Sequence, residues 1–194
     1  MPDNKKMVEI RHFKMSFGDK TVIKDLSFDV FRGEVFGFLG SNGSGKTTTL
    51  RALLGLYQPT AGDLLINGKP YSVGSQIRLG YLPEERGLYK KEKVLDVMLY
   101  FGQLKGLSRK EAKDFSLKFL ERVNLSDKAN TQLDKLSGGQ QQKIQLGVTI
   151  MCDPELLIMD EPAKGFDPVN RRLLMNIIEE QRKAGATIIY VTHQ

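Results

Sequence analysis

The sequence has a single cysteine, no long apolar run and no leader-like segment at its start. Cys152 alone cannot form an internal disulfide, and a zinc site built on cysteines is excluded, so the composition fits a reducing compartment. No apolar run approaches the roughly 20 residues that a membrane-spanning helix needs. The opening residues, MPDNKKMVEI, lack the apolar stretch of a secretory signal. We therefore expect a soluble, cytoplasmic protein.

Compositional bias is also absent, since the chain contains neither low-complexity segments nor internal repeats. With 194 residues, 40% of them hydrophobic and 27% charged, it can bury one core, which excludes wholesale disorder. The net charge of +6 is compatible with phosphate ligands, nucleic acid or a membrane surface, but a solvated basic surface is the better interpretation. No Arg-rich stripe with interleaved aromatics is present, so nucleic acid is not an expected partner.

Hydrophobic periodicity predicts alternating strands and helices. Predicted strands cover 7–14, 26–32, 34–39, 63–67, 78–82, 156–160 and 187–191, and predicted helices cover 46–54, 94–105, 109–123, 139–152 and 168–183. The apolar run 34–39, between Gly33 and Gly40, is expected to be a buried strand, and 187–191 a central buried strand. Strand–helix units therefore flank an all-helical insert of roughly 60 residues.

Capping residues mark where two of these helices begin. Ser108 and Glu111 form a capping box ahead of the helix 109–123. Asp167 is an apt N-cap for the helix 168–183, with Pro168 at the first helical position.

A glycine-rich segment lies between the predicted strand 34–39 and the helix 46–54. It contains Gly40, Ser41, Asn42, Gly43, Ser44, Gly45, Lys46 and Thr47, with Thr48 next, and matches the pattern G-x-x-x-x-G-K-[ST] in the strand–loop–helix context that the pattern requires. Glycines tolerate positive φ and let several backbone N–H groups approach phosphate oxygens, while the start of a helix adds a positive dipole end. The segment is therefore a candidate phosphate loop.

Two side chains of this loop are suited to binding a nucleoside triphosphate together with its metal ion. Lys46 can reach the β- and γ-phosphates, and the Thr47 hydroxyl can ligate Mg²⁺. The alternative is a glycine-rich surface turn, for which a chance match to the pattern is on the order of 1%. We therefore expect a nucleoside triphosphate and Mg²⁺ as ligands.

A pair of carboxylates, Asp160 and Glu161, follows the apolar strand 156–160. Asp160 at the end of a strand beside the loop would hold the Mg²⁺ shell through water. Glu161 could polarise a water for attack on the γ-phosphate. Without the phosphate loop, a strand that simply ends in charged residues would be the better interpretation.

The pentapeptide Leu136-Ser137-Gly138-Gly139-Gln140 resembles the signature motif of ATP-binding-cassette (ABC) proteins. Ser137 is a predicted N-cap, so the following helix would present its positive end to an anion. In the family, this motif contacts the γ-phosphate held by a second, head-to-tail subunit. An ordinary Ser-Gly-Gly helix cap is the alternative if the other motifs are ignored.

The resemblance covers essentially the whole chain and implies its fold. It implies an α/β P-loop NTPase core with a mostly parallel sheet, an N-terminal antiparallel β portion and an all-helical insert. In one ABC ATPase domain, residues 1–84 and 153–194 would form the core with its β portion, and 85–152 the helical subdomain. Because family members usually continue beyond the position of Gln194, we expect this chain to be truncated at its C-terminus.

The resemblance also assigns further residues to the nucleotide. Phe17 falls where the family places an aromatic ring that stacks on adenine, although a core aromatic in a strand is nearly as good an interpretation. Val22 falls at an apolar nucleotide contact, and His193 resembles the switch histidine that senses the γ-phosphate; a lone histidine after a strand would otherwise be structural. The implied catalytic residues are Lys46, Glu84, Glu161 and His193, and the implied metal ligands are Thr47, Glu84 and Asp160.

Three residues depart from the family pattern. The family usually has Gln at the position of Glu84, and a carboxylate there adds negative charge near the γ-phosphate. It usually has Ser at the position of Lys164 and Leu at that of Phe166, in a loop that lies across the dimer interface. We therefore expect these departures to bear on the metal shell and on communication between subunits.

The function implied by the resemblance is ATP hydrolysis that powers a membrane transporter. Two copies, identical or not, would sandwich two ATP molecules, and a groove near 84–100 would receive a helix from a transmembrane permease at the cytoplasmic face of the membrane. Segments 80–89 and 167–170 resemble a bacterial exporter-type subgroup that includes sodium-efflux and multidrug ATPase subunits. The alternatives are an ABC-type ATPase acting on nucleic acid or ribosomes, and a regulatory nucleotide-binding module with little turnover.

Overall fold

The order of strands and helices follows the sequence patterns. The computed structural model describes residues 5–72, 74–85 and 87–193, so Arg86 of the segment 80–89 and Gln194 lie outside it. The strands are β1 (Lys6–Phe17), β2 (Lys20–Ile23), β3 (Phe28–Phe31), β4 (Val35–Leu39), β5 (Ala61–Ile66), β6 (Leu79–Leu82), β7 (Leu156–Asp160) and β8 (Thr187–Thr192). The helices are α1 (Lys46–Leu53), α2 (Val94–Leu104), α3 (Arg109–Arg122), α4 (Gly138–Ile150) and α5 (Pro168–Lys183), with 3-10 turns at Ser126–Lys128 and Leu133–Lys135. Across the described residues, no helix has the length and apolar character needed to cross a bilayer.

The strands form two sheets of different type. In the antiparallel sheet, β1 pairs with β2, β3 and β5. The second sheet is parallel, in the order β4-β8-β7-β6. This arrangement, with α2, α3 and α4 between β6 and β7, confirms the predicted fold class. The prediction missed β2, because its four residues, KTVI, are too few to show a period.

The strand β4 differs from its prediction. We expected 34–39 to be buried, but Val35 is 43% and Leu39 is 67% exposed. Within the described residues β4 pairs with β8 alone and is therefore an edge of the parallel sheet, which an apolar run by itself cannot indicate. The rings of Phe36 and Phe38 lie against Phe28 of the antiparallel sheet. The apolar residues of β4 thus contribute to the contact between the two sheets.

In the helical insert, α3 and α4 pack closely together. The predicted capping box is present at the start of α3, where Ser108 Oγ accepts a bond from the Glu111 N–H at 3.2 Å.

Phe119 of α3 is buried beside Gly147 of α4, where an added Cβ would lie 2.5 Å from the ring. Glycine at 147 therefore permits this approach, and a larger residue would displace the ring. Asp167 caps α5, as predicted.

The parallel sheet determines where distant segments meet. Because β4, β7 and β8 are parallel, their carboxyl ends lie along one edge. The glycine-rich loop follows β4, Asp160 ends β7, and His193 follows β8. β8 is the interior strand that we predicted, with Ile188, Ile189 and Val191 buried. The candidate site residues are thus brought to one edge of the sheet.

Candidate functional site

The glycine-rich loop folds around the side chain of Lys46, the first residue of α1. Lys46 is 8% exposed, and its ammonium donates to the carbonyl oxygens of Gly40 at 2.7 Å and Ser41 at 3.0 Å. Gly45 precedes it with φ of +95°, and an added Cβ would lie 2.9 Å from Ile23 Cγ1. Glycine is therefore required at 45 both for its backbone angle and for contact with β2.

The start of α1 has the form of an anion site. Gly45 offers no side-chain cap, so the first N–H groups of the helix have no acceptor within the helix and none from a capping side chain. The helix dipole adds partial positive charge at this end. Together with the Lys46 ammonium, the loop can hold phosphate oxygens, as the sequence pattern predicted.

Thr47 and Asp160 are joined across the site. Thr47 Oγ1 donates to Asp160 Oδ2 at 2.7 Å. Asp160 is buried, and its Oδ1 has no hydrogen-bond partner in the described part of the chain. Burial raises the pKa of Asp160 above its ordinary value; the Thr47 bond lowers it, and the charges of Glu84 and Glu161 raise it further.

These two residues fit the magnesium ion implied by the phosphate loop. Mg²⁺ prefers oxygen ligands and is held in nucleotide sites by one or two carboxylates together with substrate phosphates. A hydroxyl beside a buried carboxylate with one unpartnered oxygen is such a donor set, and a cation would offset the desolvation of Asp160. Thr47 and Asp160 are therefore suitable ligands for Mg²⁺, directly or through water.

Glu161 is held in an unusual backbone conformation immediately after β7. Its φ is +50°, in the left-handed region, which costs a residue other than glycine about 1–3 kcal/mol. Its N–H donates to the Val191 carbonyl at 2.9 Å, which anchors the turn to β8. Glu161 Oε1 lies 2.7 Å from His193 Nδ1, and Glu161 Oε2 accepts from Thr192 Oγ1 at 3.3 Å. The carboxylate is thus fixed by two side chains at the end of β8.

These groups line one cavity of about 660 Å³. Its lining includes the predicted residues Val22, Asn42, Gly43, Gly45, Lys46, Thr47, Thr48, Glu84, Asp160, Glu161 and His193. It also includes Lys20, Thr21 and Lys164, which we had not predicted as binding residues. Lys20 and Thr21 belong to β2, the strand that sequence periodicity missed. Gly40, Ser41 and Ser44 are not part of the lining; the first two contact Lys46 instead.

Phe17 lies outside the cavity lining, on the hairpin that carries β2. It is 46% exposed, and its ring meets Tyr57 edge-on at a centroid distance of 5.4 Å. The alternative of a core aromatic is therefore wrong. In the hairpin Phe17 pairs with Lys20, which does line the cavity.

The signature residues Ser137, Gly138, Gly139 and Gln140 form the capped start of α4, as predicted. Ser137 Oγ accepts from the Gln140 N–H at 3.3 Å, and Gln140 Oε1 accepts from the Ser137 N–H at 2.9 Å. None of the four lines the cavity that contains Lys46. At Gly139, an added Cβ would lie 3.6 Å from the Gly165 carbonyl, so this helix end lies beside the loop that follows Glu161.

The three departures from the family pattern have different surroundings. Phe166 is 6% exposed and belongs to the hydrophobic core between the helical insert and the parallel sheet. Glu84 and Lys164 instead both line the cavity and form an ion pair, with Lys164 Nζ 2.7 Å from Glu84 Oε1. Sequence reasoning singled out both residues but gave no sign of their contact.

Comparisons with known proteins agree with this geometry. The family described as "ABC transporter" matches residues 23–164. An ABC transporter ATP-binding protein of Methanocaldococcus jannaschii is 43% identical over 98% of this chain and 69% of its own length. The linearmycin resistance ATP-binding protein of Bacillus subtilis is 34% identical over 96% of this chain and 61% of its length. A Nod factor export ATP-binding protein of a Rhizobium species is 37% identical over 98% of this chain and 64% of its own length.

The chain spans between 58% and 69% of the lengths of the curated relatives that it matches. Among solved structures, one described as the ATP-binding subunit of an ABC transporter superposes with a TM-score of 0.86. It is 29% identical and aligns over 96% of this chain and 79% of that one. The chain therefore belongs to the ABC transporter family of ATP-binding proteins.

Proposed function

We propose that this chain hydrolyses ATP in the cavity between the phosphate loop and the ends of β7 and β8. One observation carries the proposal: Lys46, Thr47, Asp160, Glu161 and His193, from three separate segments, line the same cavity. A phosphate-binding loop alone would serve a binding module. The addition of a fixed carboxylate beside it supplies a base for hydrolysis.

Binding of the triphosphate would rest on α1 and its loop. The Lys46 ammonium and the N–H groups of the loop would neutralise the β- and γ-phosphate oxygens. Thr47, Asp160 and Glu84 would hold Mg²⁺, which supplies positive charge to the phosphates and to the developing transition state. Phe17 would stack on the base and Val22 would contact the nucleotide, both from the hairpin next to the cavity.

Hydrolysis requires a base for the attacking water. Glu161 would accept a proton from water as the water oxygen bonds to the γ-phosphorus, and the bond to the bridging oxygen of ADP breaks. The products are ADP and inorganic phosphate, and the proton is released from Glu161 to solvent. His193 and Thr192, which contact the two oxygens of Glu161, would keep the carboxylate in place.

The capped start of α4, where Ser137 is exposed, supports a proposed arrangement of subunits. Ser137, Gly138, Gly139 and Gln140 would contact the γ-phosphate bound by a second copy or a related chain in a head-to-tail dimer. This would explain why none of the four lines the cavity of Lys46 in its own chain. Two nucleotides would then be shared between two subunits.

The partner driven by ATP hydrolysis would be a transmembrane permease, which the chain would contact at the cytoplasmic face of the membrane. The segment 84–100 would form the contact, because Tyr89 and Tyr100 are 54% and 45% exposed and their rings meet at 5.7 Å. Relatives named for linearmycin resistance and Nod factor export favour an exporter. Nucleic acid is not a proposed partner.

Phosphate release from MgATP, measured together with nucleotide affinity, tests the proposal. An ATPase should release phosphate well above the level of a Glu161→Gln variant at equal nucleotide occupancy. A chain that binds MgATP but releases no more phosphate than that variant would be a regulatory module instead. Co-purification with a polytopic membrane protein, rather than with RNA or DNA, would support the transporter role.

A further inference from the structure

Two side chains at the edge of the cavity form an ion pair between segments 80 positions apart in sequence. Glu84 lies in the connection after β6, and Lys164 lies in the loop after β7. Lys164 Nζ donates to Glu84 Oε1 at 2.7 Å, a distance typical of a charge-assisted hydrogen bond. The pair therefore joins the two loops that border the end of β7.

The charges around this pair make an isolated glutamate unfavourable. Glu84, Asp160 and Glu161 line the cavity, as do Lys20, Lys46 and Lys164. Without Lys164, three carboxylates and two lysines would surround a ligand that is itself an anion. The charge of Glu84 acts on Asp160. Burial is the largest cause that raises the pKa of Asp160, and the charges of Glu84 and Glu161 raise it further. Like charges in one cavity repel each other, and the repulsion grows as the local dielectric falls.

The pair is not suited to stabilising the fold. The side chains of Lys164 and Glu84 are 62% and 39% exposed, and exposed ion pairs contribute little to the free energy of folding. The bond from Lys164 instead offsets the charge of Glu84 and holds its carboxylate beside the loop that follows Glu161. Its position, rather than its strength, suggests a role in binding.

We propose that Glu84 and Lys164 act as one charge-compensated unit, in which Lys164 is a positioning residue for Glu84. With Lys164 present, a carboxylate at 84 can serve the Mg²⁺ shell without repelling the γ-phosphate. Without Lys164, the same carboxylate becomes a net repulsive charge in the cavity. This inference rests on the proposed function, because it concerns how the nucleotide and its metal are bound.

A double-mutant cycle on nucleotide affinity tests the unit. The probe is a non-hydrolysable ATP analogue with Mg²⁺, titrated into the parent, Glu84→Gln, Lys164→Ser and the double variant. Lys164→Ser should weaken binding about tenfold, because Glu84 is then uncompensated. In the Glu84→Gln background, Lys164→Ser should change affinity by less than about twofold, because the amide at 84 carries no charge to compensate.

Three further measurements separate positioning from a merely structural role. Lys164→Arg should restore affinity to within about threefold, because a guanidinium can also bind a carboxylate. The deficit of Lys164→Ser should shrink at high salt, which screens repulsion, and its melting temperature should match the parent. The control is the cycle of Arg122→Ser with Glu180→Gln, which removes another 2.7 Å ion pair, between α3 and α5, and should leave affinity unchanged.

Two results would overturn the inference. If Lys164→Ser weakens binding equally in the Glu84→Gln background, Lys164 acts on the nucleotide without Glu84. If Lys164→Ser has no effect in either background, the pair has no part in binding. Lys46→Ala, measured in parallel, distinguishes these outcomes from failure of the proposed function. If Lys46→Ala binds as tightly as the parent, the cavity is not the nucleotide site.

Discussion

The N-termini of α1 and α4 were both predicted as anion sites, but they differ in how their first backbone N–H groups are capped. α1 begins after Gly45, which supplies no side-chain cap, so its first N–H groups remain available to an outside acceptor. α4 begins after Ser137, whose capping box with Gln140 already satisfies two backbone N–H groups. The two helix ends therefore differ in how much hydrogen-bonding capacity they keep for a ligand.

The side chains around the two helix ends differ as well. At α1, the Lys46 ammonium and the carboxylates of Asp160 and Glu161 line one cavity. At α4, a Cβ added at Gly139 would meet the Gly165 carbonyl at 3.6 Å and the ring of Phe166 at 4.0 Å. The first end has the parts of a complete phosphate site, whereas none of Ser137, Gly138, Gly139 and Gln140 lines the cavity of Lys46. This contrast is why we propose that α4 meets a phosphate held by another subunit.

The largest expected effect comes from removing the cation at α1. Lys46→Ala should abolish tight binding of MgATP, because the buried ammonium is the only side-chain charge that we assign to the phosphates. Isothermal titration with MgATP measures the change. Lys113→Ala, at an exposed position of α3, is the matched control and should bind as the parent does. Unchanged affinity in Lys46→Ala would show that the glycine-rich loop is not the phosphate site.

The next effect separates binding from chemistry at the same helix end. Glu161→Gln should keep ATP binding but slow hydrolysis by on the order of 100-fold or more, because an amide cannot accept the proton. It should also accumulate an ATP-bound dimer, which size-exclusion chromatography with MgATP would detect. Glu179→Gln, on α5 with a side chain that is 46% exposed, controls for loss of a carboxylate. Turnover equal to the parent would remove Glu161 from the catalytic role.

A third experiment addresses the α4 end directly. Ser137→Arg should leave nucleotide affinity of the monomer within about twofold of the parent while it prevents the nucleotide-dependent dimer, because bulk and charge would occupy the place of the partner's phosphate. Ser137→Ala is the control: it loses the cap, at about 1 kcal/mol of stability, but adds no bulk. If Ser137→Arg instead lost monomer binding, Ser137 would belong to the same nucleotide site as Lys46, and the contrast between the two helix ends would fail.

Sequence reasoning placed the starts of these two helices correctly because the signals that mark a helix start are local. A glycine-rich loop before Lys46 and an N-cap serine at Ser137 each fix a backbone geometry within one turn of helix. The carboxylates Asp160 and Glu161 were found because an apolar strand ends at them. Such signals need no knowledge of the remaining chain.

The features that sequence reasoning missed depend on tertiary structure. The exposure of β4 depends on which strands lie beside it, and an apolar run of five residues is the same at an edge and in the centre of a sheet. The left-handed backbone of Glu161 occurs where its N–H bonds to Val191, which is distant in sequence. The contact between Glu84 and Lys164 likewise appears only when the ends of β6 and β7 are placed side by side.

The smallest expected effect lies at the opposite end of α4. Lys105 Nζ donates to the Thr149 carbonyl at 3.2 Å, in the last turn of the helix, where a cation complements the dipole. Burial lowers the pKa of Lys105 below its ordinary value near 10.5, and the charge of Cys152 opposes this. Holding this ammonium at the helix end thus has a desolvation cost.

That cost should appear as a pH dependence of stability. Between the lowered pKa of Lys105 in the folded chain and its unfolded value near 10.5, the unfolded chain binds more protons, so the free energy of unfolding rises with pH in this window. Lys105→Met removes this contribution, so the parent should gain stability relative to the variant as pH rises from neutral towards 10.5. At pH 7 the two should differ by less than about 1 kcal/mol, because the lost bond and the removed desolvation oppose each other. Urea unfolding of both proteins at a series of pH values measures the difference, and a difference independent of pH would show that Lys105 titrates alike in the folded and unfolded chains.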